Sequence, residues 1–144
     1  YKLIDIFKGL ENSEALRGIF KENLEKILKE VKVKLVNSRG YMRVSDIDGS
    51  IILNVNYLRK GDLKDLYLDV IHELIHFKQY KEGKNLYDVR FSYVDRLTEI
   101  EAYGIVVEEA KRMGLSEEEI KDYLRVEWIS EEEFNRLLKH LKLI

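Results

Sequence analysis

The stretch Asp62-Leu63-Lys64-Asp65-Leu66-Tyr67-Leu68-Asp69-Val70-Ile71-His72-Glu73-Leu74-Ile75-His76-Phe77-Lys78-Gln79-Tyr80-Lys81 decides how the rest of the chain must fold. Leu66, Leu68, Val70, Ile71, Leu74, Ile75 and Phe77 cover most of a helix circumference, which predicts a central, buried helix over residues 63–81. Asp62 is its expected N-cap and Gly83 its stop. Yet this apolar helix carries two histidines four residues apart, hence on one face, with a glutamate beside the first. Three polar groups inside a core each need a partner.

Outward from that helix the pattern is plain. Residues 5–30 read as amphipathic helix with a break near Gly9–Ser13. Val31 to Val36 alternates with period two, as a half-buried strand does. Asn37–Gly40 is a turn, and Tyr41–Ile47 and Ser50–Asn56 read as two strands joined by a type I′ turn at Asp48-Gly49. Lys84–Tyr93 has no clear pattern. Val94 to Met113 forms a second buried helix, stopped at Gly114. Ser116 with Glu119 and Ser130 with Glu133 are capping boxes that start helices over 117–126 and 131–142. The fold class is therefore α+β: a small three-stranded sheet packed on two buried helices, with further helices at both ends. The 144 residues suit a single domain, residues 1–144.

Composition narrows the chemistry. A net charge of −2, with Lys and Arg interspersed among Glu, gives no footprint for nucleic acid. With no cysteine, a transition metal must be held by His, Asp or Glu, and there are only three histidines. No apolar run is long enough to span a membrane, and the first residues lack a signal-peptide pattern, so a cytoplasmic, monomeric protein is expected. The first residue is not Met, which leaves room for further sequence upstream. Lys and Glu richness without cysteine is thermophile-like, although the absence of proline does not support that.

His72 and His76 can both reach one ion, and a neutral imidazole nitrogen is a good zinc donor. Glu73 can reach water at that ion without being a ligand, the arrangement metal-assisted peptide hydrolysis needs. The bland alternative is a hydrogen-bonded core cluster. A third donor is expected from the next buried helix, at Glu99 or Glu101, which lie about 200° apart on it. Ala102, one turn from Glu99, would let the helices approach closely and favours Glu99; Glu101 remains the alternative, supporting or solvated. His140, near a helix end, reads as a surface residue.

His72-Glu73-x-x-His76 followed by Glu99-x-x-Ala102 resembles the gluzincin zinc peptidases. The likeness is nearest to the soluble minigluzincins and to the catalytic domains of CaaX-protease and heat-shock-type membrane peptidases, and covers about residues 31–113. It implies Zn2+ held by His72, His76 and Glu99, Glu73 as general base, and a peptide or unfolded protein as substrate. It also implies that strand Ser50–Asn56 is the cleft rim, an edge on which an extended substrate would pair. Latent forms in that group imply that residues 115–144 could cover the cleft, with Trp128 and Phe134 as buried anchors. The chain departs from the membrane relatives at Tyr103, where they carry Asp; Asp69 is the candidate to support His72 instead. Tyr103, Tyr93, Tyr87 and Arg96 are the candidates to stabilise an oxyanion. Two other readings share these residues: a zinc-binding regulatory module with little or no catalysis, and a regulator that cleaves one repressor partner.

Overall fold

The computed structural model describes residues 1–144. The expected central helix is α5, Leu63–Lys81; to fix numbering, the elements before it are α1 (Leu3–Ile6), α2 (Glu14–Phe20), α3 (Leu24–Glu30), β1 (Val33–Val36), β2 (Met42–Val44), β3 (Ile51–Asn54) and α4 (Val55–Lys60). The Asp62 carboxylate caps α5 by accepting from the Lys64 and Asp65 amides at 2.8 and 3.3 Å. After Gln79 the helix closes with Gly83 at φ 80°, a conformation that suits a residue without Cβ. α6 (Leu97–Arg112) packs along α5 and ends the same way at Gly114, φ 86°. Both predicted capping boxes form, opening α7 (Glu117–Leu124) and α8 (Glu131–His140).

The architecture is α+β, as the pattern predicts, with differences of detail. The N-terminal helix breaks twice rather than once. Ser13 caps α2 by accepting from the Leu16 amide, and a second break falls at Lys21, whose φ is 52°. α6 begins three residues late, because Tyr93–Asp95 forms a separate 3-10 turn. Val55 and Asn56 do not extend the third strand. The Asn54 side chain accepts from the Asn56 amide and starts α4 instead.

The hairpin exists, but its turn is not type I′. Only Gly49 has positive φ; Asp48 does not. Asp48 instead accepts from the Ser50 amide (3.0 Å) and hydroxyl (2.7 Å), and pairs with Lys34 of β1 at 2.7 Å. A four-residue loop from Asp46 to Gly49 results, with Ser45 N–H donating to Ser50 C=O at 2.8 Å.

Sheet order is β1-β3-β2, with β1 parallel and β2 antiparallel to β3. This corrects the expectation for Ser50–Asn56: β3 is the central strand and has no free edge. The outer edge of β1 is covered at its start, where Tyr1 and Val33 exchange backbone hydrogen bonds. The edge that packs against α5 belongs to β2. Tyr41 C=O accepts from Asn54 N–H, and Ser45 N–H also points at β3. By antiparallel alternation, Met42 therefore turns its backbone N–H and C=O outward.

One core joins these layers. It runs from Leu16, Leu24 and Leu28 through Ile51 and Leu53, the apolar side of α5, and Ala102 and Val106, to Ile120, Leu124, Phe134 and Leu137. The C-terminal helices thus complete the core. Phe134 is buried as expected, but Trp128 is 51% exposed and is not a buried anchor. No helix is long and apolar enough to cross a membrane.

Candidate metal centre

One turn of α5 sets His72 and His76 side by side, and α6 brings Glu99 against them. Ala102 is fully buried one turn along, leaving room for that approach. All four motif residues, His72, Glu73, His76 and Glu99, are buried. His72 Nε2 lies 2.9 Å from Glu99 Oε1, His76 Nε2 lies 3.0 Å from the same oxygen, and the two ring nitrogens are 3.0 Å apart. Glu101 does not join them. It is exposed on another side of α6 and accepts from the Gln79 amide at 2.8 Å.

These donors fit a divalent cation. Three atoms, one each from His72, His76 and Glu99, can lie within 4.8 Å of one another. Zinc bonds of about 2.0–2.1 Å in tetrahedral geometry would set donor atoms about 3.3 Å apart, a few tenths of an ångström wider than these. Two imidazole nitrogens and a carboxylate oxygen converging at a buried site otherwise share only protons. His72 Nδ1, on the far side of its ring, is buried without a hydrogen-bond partner. Asp69, the candidate to support it, is engaged elsewhere: its carboxylate accepts from Tyr57 and Tyr123 hydroxyls, each at 2.5 Å, and so faces α4 and α7.

The remaining candidates divide cleanly. Tyr87 donates to the Val44 carbonyl, and Arg96 Nε to the Asp88 carbonyl at 3.2 Å, so both are committed to structure. Tyr103 packs on the His72 ring with centroids 4.3 Å apart, and its hydroxyl is 2.7 Å from that of Tyr93. Tyr93 lines both cavities at the centre. His140 pairs with Asp95 at 2.9 Å, away from the centre, as its helix-end position suggests.

The larger cavity, about 260 Å³, opens beside His72 and Glu73 and is walled by Tyr41, Tyr57, Asp69 and Trp128. The smaller, about 110 Å³, reaches His76 and Glu99 beneath Met42 and Arg43 of β2. The connection between α7 and α8 closes one side: Tyr41 donates to Glu127 at 2.7 Å, and Trp128 packs against the Tyr41 and Tyr93 rings. Glu127, which holds Tyr41 here, lies between two helices in a stretch with no pattern of its own, so nothing in the sequence marks it. Gln79 does carry a sequence signal: it stands three residues after His76, on the same helix face.

Charge in this buried cluster is arranged unevenly. Burial pushes the Glu73 carboxyl up to about 8; His76 opposes this, while Glu99 and Asp69 add to it. Burial disfavours a charged His76, but its bond to Glu99 and the Glu99 and Glu73 charges outweigh that and raise it to about 9. Burial likewise works against Glu99, and its two histidine partners hold it well below the ordinary range. For the metal-free chain the signs follow. Glu73 costs stability as pH rises from its ordinary 4.5 through about 8, because the unfolded chain loses the proton first. His76 contributes stability below its ordinary 6.5 and loses it as pH rises through about 9. Glu99 contributes above 4.5 and loses it as pH falls. The metal-free melting temperature should therefore fall between pH 6 and 9, by roughly 2–4 °C for each kcal/mol lost. A thermal melt series in chelator checks this; a flat or rising profile would contradict it.

Comparison with family models, with characterised proteins and with solved structures gives no match, so the geometry of these residues alone carries the functional reading.

Proposed function

We propose that the chain is a zinc-dependent endopeptidase whose ligands are His72, His76 and Glu99 and whose general base is Glu73. The observation that carries this reading is the convergence of three buried donor atoms of zinc-binding type beside Glu73, at the wall of a cavity. No fourth protein donor joins them, which supports a catalytic rather than a closed structural centre. When bound, zinc supplies a Lewis acid that acidifies water and polarises a carbonyl.

The chain's own residues do the rest. Glu73 takes a proton from the attacking water and passes it to the leaving amine. The Tyr93–Tyr103 hydroxyl pair is the donor best situated for the developing oxyanion. The free edge of β2 at Met42 would hold an extended substrate by backbone hydrogen bonds, with little demand on its side chains. Entry is narrowed by the α7–α8 connection. A latent form, which the gluzincin likeness implies, would be held there by the Tyr41–Glu127 bond rather than by a buried Trp128.

The test is direct. Zinc content is measured on the purified chain, and cleavage of a denatured protein such as unfolded casein is followed with and without chelator. One zinc per chain and chelator-sensitive cleavage are expected. Zinc uptake without cleavage would turn the reading to a zinc-binding module, and cleavage that survives metal removal would end it.

A further inference from the structure

We propose that Gln79, backed by Glu101, is a positioning residue that decides which nitrogen of His76 is presented to the metal. This rests on the zinc reading of the centre. Gln79 is the chain's single glutamine and is fully buried. The two ends of a primary amide have opposite hydrogen-bonding character, and its neighbours decide which way it points. One end of Gln79 lies 3.0 Å from the Thr98 carbonyl oxygen and 2.8 Å from a Glu101 carboxylate oxygen. Both are acceptors, so this end is the NH2 group and it uses both protons. The other end is the carbonyl oxygen, 2.7 Å from His76 Nδ1. A carbonyl oxygen can only accept, so Nδ1 carries a proton and donates it.

In a neutral imidazole the second nitrogen then holds a lone pair. That nitrogen, Nε2, is the one facing Glu99 and His72. Amide orientation, imidazole tautomer and donor atom thus follow in sequence from two acceptors, the Thr98 carbonyl and Glu101, an exposed carboxylate with Lys84 Nζ 4.0 Å away. His72 shows the contrast inside the same centre. Its Nδ1 has no partner, and nothing fixes its tautomer in this way. The two imidazoles are therefore unequal: His76 is held, His72 is not.

A packing role for Gln79 would need only its shape, which methionine reproduces without either hydrogen bond. The experiment compares zinc affinity, by chelator competition, in the wild-type chain, Gln79→Met, and the exchange Gln79→Glu with Glu101→Gln. Melts of the metal-free forms check folding. Gln79→Met should weaken zinc by about 10–100-fold. The exchange keeps an acceptor on His76 and reverses the bond to residue 101, but sets a carboxylate oxygen against the Thr98 carbonyl, so it should recover only part of the affinity that Gln79→Met loses. Long-range 1H–15N spectra of the zinc form should show the His76 proton on Nδ1, exchanging faster in Gln79→Met. Equal zinc affinity in wild type and a folded Gln79→Met overturns the positioning role and leaves the zinc reading standing. A wild-type chain that takes up no zinc overturns the zinc reading, and the positioning role with it.

Discussion

Glu73→Gln should reduce cleavage of an unfolded protein by about 10²–10⁴-fold while the chain still takes up one zinc ion. The two side chains have nearly the same shape, so the cavity wall is kept. Glutamine cannot accept the proton of an attacking water, so the step assigned to Glu73 is lost. Stability should not suffer, because burial already disfavours the charged carboxylate at this position and an amide carries no such charge. The measurement pairs a cleavage assay with metal analysis on the same preparation. Wild-type activity in a zinc-loaded Glu73→Gln chain would remove Glu73 from the mechanism.

The second large effect is on the metal itself. Glu99→Ala removes the oxygen that lies 2.9 and 3.0 Å from the two ring nitrogens, leaving two neutral donors. Zinc affinity should fall by more than the 10–100-fold typical of losing a supporting group. Glu101→Ala should cost less than about tenfold, because the Thr98 carbonyl still orients Gln79. Chelator competition on both variants reads the difference. Equal losses in the two would mean that Glu99 holds no special place at the centre. The metal-free Glu99→Ala chain should also lose the stability that ionised Glu99, held by its histidine partners, contributes above its ordinary pKa of 4.5.

What could be read in advance was local. α5, α6 and the two capped helices declare themselves through periodicity and through Ser, Asp and Gly at their ends, all of which act within one or two turns. The candidate centre was legible for the same reason. His72 and His76 share a face by helix geometry alone, and Ala102 beside Glu99 hinted at which face of α6 meets them. What stayed hidden depends on distant partners. Strand order is set by which edges meet after the chain has turned, so β3 became central although Ser50–Asn56 reads no differently from an edge strand. Asn54 ended that strand because its side chain found the Asn56 amide, a choice that alternation cannot reveal. Asp48 left the expected turn conformation because Lys34 and Ser50 offered its carboxylate better partners. Trp128 and Tyr41 meet over the cleft from distant parts of the sequence, and no spacing rule connects them.

The exposed edge of β2 carries a consequence for self-association. An unpaired strand edge is a template for any other strand, including the same strand of a second copy, and long open edges are where proteins aggregate. This one is only three residues long and carries Arg43 at its centre. The Val44 carbonyl is already taken by Tyr87. The α7–α8 connection stands beside it, with Glu127 accepting from Tyr41. Brevity, charge and shielding together make this edge a poor template for a second copy of the chain.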